Sequence, residues 1–554
     1  MKVVKKFILV IASVLALTGC EDFLNPKQVN LIYNDVFWNT QADAEVGLAG
    51  VYSLYRGLMV NPDNWYNRCD ATTGFIKSGW NGGSSSRLYV YGVFNDPNND
   101  NKMWGSLEGM ADWSNHYKVV SQVNLVIDRV EKIPEDKFAT GAKQRILGEA
   151  YFLRALTYFN IVKVWGNAPL VVDVIESSGQ VINEELVPVT VPRNHDLEIC
   201  AQVLKDVQLA VDYLDWGTPG SATWGIFANK GSALALQGHA NLWMNFITNR
   251  DKRSDEMIEL MGEEVMEPKQ YIKNAITALE LIRTEGNYSY AQYTEEGVKA
   301  LYKGGSSEAI FELNINPDMN ESYRADVSGV TRITCKMVPT DGDVKKDRSE
   351  SVNFVPSTQK LTIYPEYDWE NNTGDDIRPN LFFDAWSSEY KDPISDTSTE
   401  TNDRTKVTWL TKYNQFILDT YADQDEYTPY FAVCNIPVFR YTDAMLMLAE
   451  AYAKDSKDGK AIEIIDEIRS RAGLKPYSGK LELMDEIMTQ RCGELFGEGY
   501  LYHDFVRNNW FPNDFLMPQL NYKQEAYYWP VASKILSKNW QIQQTPFWNG
   551  KTQW

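Results

Sequence analysis

The sequence predicts a mainly α-helical protein, a scaffold of helical hairpins interrupted by long irregular segments. Three observations predict it. Apolar residues recur at helical spacing in eight segments. Two of those segments are separated only by a short, turn-rich breaker. Between other segments lie long stretches rich in Asn, Gly and aromatic residues, with only short β-prone runs.

In chain order, the first segment reads as a leader. Lys2, Lys5 and Lys6 precede the apolar run 7–17, which is too short to span a bilayer but of secretory length. It ends in Leu17-Thr18-Gly19-Cys20, which resembles the bacterial lipobox, where the cysteine thiol receives a diacylglyceryl group and becomes the mature N-terminus. Residues 1–19 are therefore expected to be a removed signal peptide and Cys20 the lipidated residue. Buried acyl chains contribute about 0.8 kcal/mol per CH2, so several of them anchor a protein without a spanning helix. Residues 20–35, with Glu21, Asp22, Asn25 and Pro26, read as an extended tether. No later apolar run is long enough to cross a membrane.

Helical segments follow. Residues 42–59 bring Ala44, Val46, Leu48, Val51, Tyr52 and Leu54 close to one stripe, and 113–130 does so with Trp113, Tyr117, Val120, Val123, Asn124 and Ile127. Segment 143–165 is apolar almost all round, and its Gly148, Ala150 and Ala155 allow close approach of neighbours. Segments 196–214, 226–247 and 268–283 continue the series. Segments 440–454 and 460–471 form a pair around Asp455-Ser456-Lys457-Asp458-Gly459. Paired helices predict a solenoid of the tetratricopeptide kind, although neither a strict consensus nor a clean period is present. Two irregular segments, 61–104 and 314–425, are long enough to be either functional or disordered, and their aromatics favour function.

Composition narrows the partners. The formal charge is −21, and loss of residues 1–19 with their three lysines leaves −24. Such a surface repels phosphate backbones, so nucleic acid is not an expected partner, and acidic substrates would need a local basic pocket. With Cys20 lipidated, Cys69, Cys200, Cys335, Cys434 and Cys492 remain, scattered and without a CxxC pair; one disulfide is open and no pairing is chosen. The 17 Trp and 31 Tyr residues serve mostly as core. Those interleaved with Asn, Asp and Gly in loops also suit sugars, whose C–H faces pack on aromatic rings while their hydroxyls pair with polar groups.

Catalysis is not expected. His116, His195, His239 and His503 stand apart in sequence, and no HExxH, GxSxG, P-loop or GxGxxG occurs. No carboxylate pair is marked out as a glycosidase dyad. Asp96, Asn98 and Asp100 have a calcium-like spacing, but Asn101 stands where a glycine would turn the chain, so a structural calcium is possible and not indicated. No other cofactor is implied. Glu149, Arg154, Arg440, Asp443, Glu450, Arg471 and Glu494 lie on strongly apolar helices and read as buried partners that fix packing.

A family resemblance runs along the chain in ordered blocks. These are GEAYFLRAL at 148–156 with GNAPL at 166–170, IPVFRY at 436–441 with MLAEA at 447–451, and IRSRAGL at 468–474. RCGELFGEG at 491–499 follows, with Asp504 and Arg507 downstream, then YYWPV at 527–531 and NWQIQQ at 539–544. Together, behind a lipobox, they resemble the SusD/RagB family of Bacteroidetes outer-membrane lipoproteins. Departures occur at Thr489-Gln490, at Gly497 and at Tyr500-Leu501.

The resemblance implies a SusD-like fold, with tetratricopeptide-like helix pairs (36–300) and a loop-rich, mixed second region (301–554) packed on them. It implies binding of oligosaccharide at the cell surface and delivery to a SusC-like TonB-dependent transporter in the outer membrane. Capture of peptide or protein, or a mainly structural lid role, is the alternative. Binding residues in the family lie in variable loops, so candidates are chosen by loop position and chemistry. They are Trp65, Asp70, Trp80, Asn81, Arg87, Tyr89, Tyr91 and Trp104 in the first loop, and Asn320, Tyr323 and Arg324 in the second.

Overall fold

Each stripe of apolar residues buries one face of a helix against the next. A computed structural model describes residues 37–61, 64, 68–73, 75–78, 103–175, 179–182, 185–188, 191–251, 265–315, 336–340, 343–347, 352–354, 363–368, 373–385, 408–413, 416–418, 430–432, 434–511 and 517–553. Its longer helices are α1 (Gln41–Met59), α2 (Ser114–Lys132), α3 (Ala142–Trp165), α4 (Asp196–Tyr213), α5 (Lys230–Asp251), α6 (Pro268–Glu285) and α7 (Glu295–Lys303). After a strand-bearing region come α8 (Tyr441–Lys454), α9 (Asp458–Arg471), α10 (Leu483–Leu495) and α11 (Leu501–Asn508). From α1 to α6 each helix packs on its successor; α8 then packs on α6, with α9 and α10 beside it. Among the described residues no helix is long and apolar enough to cross a membrane.

Local chemistry sets the helix starts. Thr40 and Asp43 form a capping box at α1, the Thr40 N–H donating to Asp43 Oδ2 at 2.8 Å. His195 is a cap as well: its Nδ1 accepts from the Leu197 N–H at 3.2 Å, while its own N–H donates to Glu198. The helix expected from residue 226 begins four residues later. Asn229 and Ser232 cap each other there, with Ser232 N–H donating to Asn229 Oδ1 at 3.1 Å and Asn229 N–H donating to Ser232 Oγ at 2.9 Å. Ile226 and Phe227 are thereby left in the preceding turn.

Helix α3 is buried on nearly every side because α1, α2 and α4 surround it. Gly148 makes room on one side, where a Cβ would sit 2.9 Å from both Leu214 Cγ and Tyr213 Cβ. Most of the buried charges described inside the array are paired. Arg154 makes a bidentate contact to Asp206 at 2.7 and 2.8 Å, and Arg507 one to Glu450 at 3.0 and 2.7 Å. Asp443 accepts from Arg491 at 3.0 Å and lies 2.8 Å from His239 Nε2. Arg440 holds Glu308 at 2.9 Å and Glu498 at 2.7 Å, and Arg471 holds Glu308 at 2.6 Å and Glu494 at 2.7 Å. Their two-pronged geometry and burial fit a packing role.

Strands are short. Ala309–Leu313 pairs antiparallel with Ile436–Arg440, with an irregularity after Pro437, which has no N–H to give. A four-stranded antiparallel sheet joins Ile76–Ser78, Val352–Phe354, Thr408–Leu410 and Phe383–Ala385 in that order. Its first strand belongs to the irregular segment 61–104 and the other three to 314–425. Cys69, Cys200, Cys434 and Cys492 are free thiols buried in the core. Cys335 lies outside the described residues, as do the leader and tether with Cys20, and the calcium-like turn at Asp96.

Candidate functional site

Two irregular segments carry the predicted binding residues, and they leave the scaffold side by side. The first departs from the C-terminal end of α1. The second departs from the strand Ala309–Leu313, and Arg56 on α1 joins the two exits by donating from Nε to the Asn314 carbonyl at 2.6 Å. Ile315 N–H donates to Asn435 Oδ1 at 3.2 Å, fixing the direction in which the second segment departs.

The first segment is fastened at its root. Arg68 donates from Nη1 to Asn64 Oδ1 at 2.6 Å and from Nε to the Met110 carbonyl at 2.8 Å, and its guanidinium stacks 4.8 Å from the Trp165 ring. Asp70, chosen from sequence as a hydroxyl partner, has a different task. It is fully buried, and its carboxylate accepts the backbone N–H groups of Gly497 at 2.8 Å, Gly499 at 2.9 Å and Leu501 at 3.0 Å. Gly497 and Gly499 both hold φ +84°, which turns their amides toward one acceptor. A Cβ on Gly497 would also meet Leu410 Cδ2 at 2.4 Å, so the departure from the family pattern at this position has a local cause. Burial pushes the Asp70 carboxyl up to about 7, against the three N–H groups that favour its charge. Its oxygens face the chain, not a ligand.

Between the two exits lies a cleft of about 200 Å³ lined by Tyr52, Ser53, Arg56, Phe227, Phe311 and Asn314, among others. Tyr52 and Phe227 meet edge-to-face with centroids 5.0 Å apart, and Phe227 is 40 % exposed. The Tyr52 hydroxyl donates to Glu149 Oε2 at 2.6 Å and accepts from the Ala228 N–H at 2.9 Å, so its ring is held rigidly. Burial, then the adjacent Glu149, pushes the Tyr52 phenol well up, and burial likewise raises Glu149, so Tyr52 stays a neutral donor. Glu312 at the floor accepts from Asn435 Nδ2 at 2.9 Å and the Gly305 N–H at 3.0 Å. The result is an apolar aromatic wall with a guanidinium at its rim. That surface suits a ring with one C–H face and several hydroxyls.

Sequence patterns did not single out this cleft. Tyr52 reads as part of the core stripe of α1, and Phe227 falls inside a helix that starts later than expected. The available signal was the i, i+4 spacing of Tyr52 and Arg56, which puts an aromatic and a cation on one helix face. Trp65, Trp80, Asn81, Arg87, Tyr89, Tyr91, Asn320, Tyr323 and Arg324 lie outside the described residues. Trp104 is described only as backbone, in the strand Met103–Trp104 that pairs parallel with Thr552–Gln553.

Comparison with known proteins gives this geometry a family. The SusD family model matches residues 273–548, and a second model, described as starch-binding associating with outer membrane, matches residues 83–218. The chain belongs to the SusD/RagB family. SusD-like protein P38 of Formosa agariphila is 23% identical over 560 residues, covering 97% of each chain. A SusD-like protein of Bacteroides ovatus is 30% identical over 157 residues, 28% of this chain and 27% of that one. Among solved structures, a SusD homolog from Bacteroides thetaiotaomicron superposes with a TM-score of 0.69 at 24% identity, covering 92% of this chain and 99% of that one. B. fragilis NanU superposes with a TM-score of 0.61 at 18% identity, covering 92% and 97%. The mainly helical SusD-like fold expected from sequence is the fold observed.

Proposed function

We propose that this protein captures oligosaccharides at the bacterial surface and hands them to a SusC-like TonB-dependent transporter in the outer membrane. The observation that carries the reading is the aromatic cleft at the shared root of the two aromatic-rich loops, in a SusD-family chain. Tyr52, Arg56 and Phe227 line that cleft, and the loop candidates Trp65, Trp80, Asn81, Arg87, Tyr89, Tyr91, Trp104, Asn320, Tyr323 and Arg324 remain the proposed further contacts by their position in the sequence and their chemistry. The role is binding without catalysis, and the engagement of Glu149 and Glu312 by neighbouring protein groups supports it. Removal of residues 1–19 and lipidation of Cys20 place the protein on the outer membrane.

Calorimetry or affinity electrophoresis with a glycan panel tests the capture reading. The mature protein binds at least one oligosaccharide, and Phe227→Ala, Trp80→Ala or Tyr323→Ala weakens that binding tenfold or more. A wild-type protein that binds no glycan removes the reading, and binding of peptides in its place points to the peptide-capture alternative. Cys20→Ala releases the protein from the membrane fraction; unchanged retention shows the anchor to be misplaced.

A further inference from the structure

Behind the aromatic cleft lies a second, smaller cavity of about 50 Å³, and it contains an unusual cation. The two spaces share Tyr55 and Leu313 as common lining. Helix α3 contributes Asn160 and Lys163 to the smaller one, and the strand Ile436–Arg440 with Gly499 and Tyr500 closes its far side. Lys163 is the interesting group. Its ammonium has no hydrogen bond or ion pair among the described residues; it lies 4.7 Å from the centroid of the Phe159 ring, and Asp504 and Asp443 act on it only across a longer distance.

Among the described residues, the carboxylates near this pocket are already held by other groups. Glu498, which also lines it, accepts from Arg440 at 2.7 Å and from Lys412 at 2.8 Å. Asp443 is held by His239 and Arg491, Asp504 by Arg491 and Arg507, and Asp70 by three backbone amides. Lys163 is therefore a cation without an ion-pair partner among the described residues, in a protein whose formal charge is −21. Burial lowers its pKa from the ordinary lysine value, the direction expected of an ammonium without a counter-ion. A second donor is at hand. The Tyr55 hydroxyl accepts from Asn160 Nδ2 at 3.2 Å and has no acceptor for its own hydrogen among the described residues.

We propose that this pocket is an anion subsite in which Lys163 and Tyr55 receive the carboxylate of an acidic sugar, the ring lodging in the adjoining cleft. Size assigns the parts. A cavity of about 150 Å³ holds a benzene-sized ring. The cleft, at about 200 Å³, admits one sugar ring, whereas the pocket, at about 50 Å³, admits only a substituent. Two donor groups match the two oxygens of a carboxylate better than the larger oxygen shell of a sulfate or phosphate. The proposal rests on the glycan-capture reading and names its substrate class.

The test is calorimetry on the mature protein. Its probes are oligosaccharides ending in glucuronate, galacturonate, mannuronate or N-acetylneuraminate, each as free acid and as methyl ester, with neutral glycans alongside. At least one free acid binds tenfold or more tighter than its ester. Lys163→Met abolishes that preference, whereas Lys163→Arg keeps part of it; thermal melts of both variants verify folding. No acid preferred over its ester, or a preference that survives Lys163→Met, overturns the subsite. Neutral glycans bound through Phe227 with no acid preference remove the subsite and leave glycan capture standing, while no glycan binding at all removes both. A parallel arm compares short peptides as acid and amide, and a preference seen only there overturns the sugar assignment.

Discussion

Replacing Arg440 with methionine tests the charge lattice that joins α8 to the loop-rich region. Arg440 is 1 % exposed and makes four hydrogen bonds, three to the Glu308 and Glu498 carboxylates at 2.7 to 3.1 Å and one to the Glu494 carbonyl at 2.9 Å. Methionine keeps most of the volume and removes the charge. Two buried carboxylates then lose a partner, although Lys412 still reaches Glu498 and Arg471 still reaches Glu308. Breaking a buried pair costs about 3–5 kcal/mol, and the surviving cations place this case near the lower end, at about 3 kcal/mol. Urea denaturation of the protein measures it. Combining Arg440→Met with Glu498→Gln should cost less than the sum of the two, with a coupling of about 0.5–3 kcal/mol. Acid unfolding gives a second readout. Burial opposes the Glu308 charge, but Arg471 and Arg440 beside it hold its carboxyl down at about 2. The stability it supplies is present above the unfolded value of about 4.3 and is lost as pH falls through 2. In the variant Glu308 titrates higher, so acid unfolding begins at a higher pH. A variant within about 0.5 kcal/mol of wild type, or strict additivity with Glu498→Gln, refutes the lattice as described.

Three further outcomes follow from local geometry. Asp70 titrates with the opposite sign to Glu308: raised to about 7, it favours the folded state at low pH, and this contribution falls as pH rises from about 4 through 7, by at most about 1.4 kcal/mol per unit. Asp70→Asn should remove that slope from the urea midpoint measured between pH 5 and 8; an unchanged slope assigns the titration elsewhere. Gly148→Ala drives a Cβ to 2.9 Å from Leu214 and Tyr213 and should destabilise by about 1–3 kcal/mol, read as a lower thermal midpoint. Asn229→Ala removes the cap of α5 and an acceptor for the Tyr288 hydroxyl at 3.0 Å, costing about 0.5–2 kcal/mol in the same melt.

Helices were legible because their signal is local and periodic. Apolar stripes placed α1 to α6 and α8 to α9 within a few residues, and the charged residues on apolar helices could be read as internal pairs before any partner was visible. Arg154 shows the limit of that reading. Its burial follows from its neighbours in sequence, but its partner Asp206 lies 52 residues away and nothing local names it. The cleft was harder for the same reason. Tyr52 and Phe227 are separated by 175 positions and meet only because Asn229 delays the start of α5. Asp70 illustrates the converse error. An acidic residue among loop aromatics has the composition of a sugar contact, yet the amides that hold it belong to residues 497, 499 and 501.

That same Asp70 contact spans 427 positions to Gly497, and it bears on how the protein is made. A chain synthesised N-terminus first exposes the root of its first loop long before the amides that secure it emerge. Local helix pairs can form during synthesis, but this closure cannot, and contacts of such long sequence separation are slow to assemble. The root of the first loop is therefore among the last parts to be fastened, after the helical frame is in place. Fragments ending before residue 497 would present that frame with its loop root unfastened, which makes the C-terminal quarter of the chain a checkpoint for biogenesis.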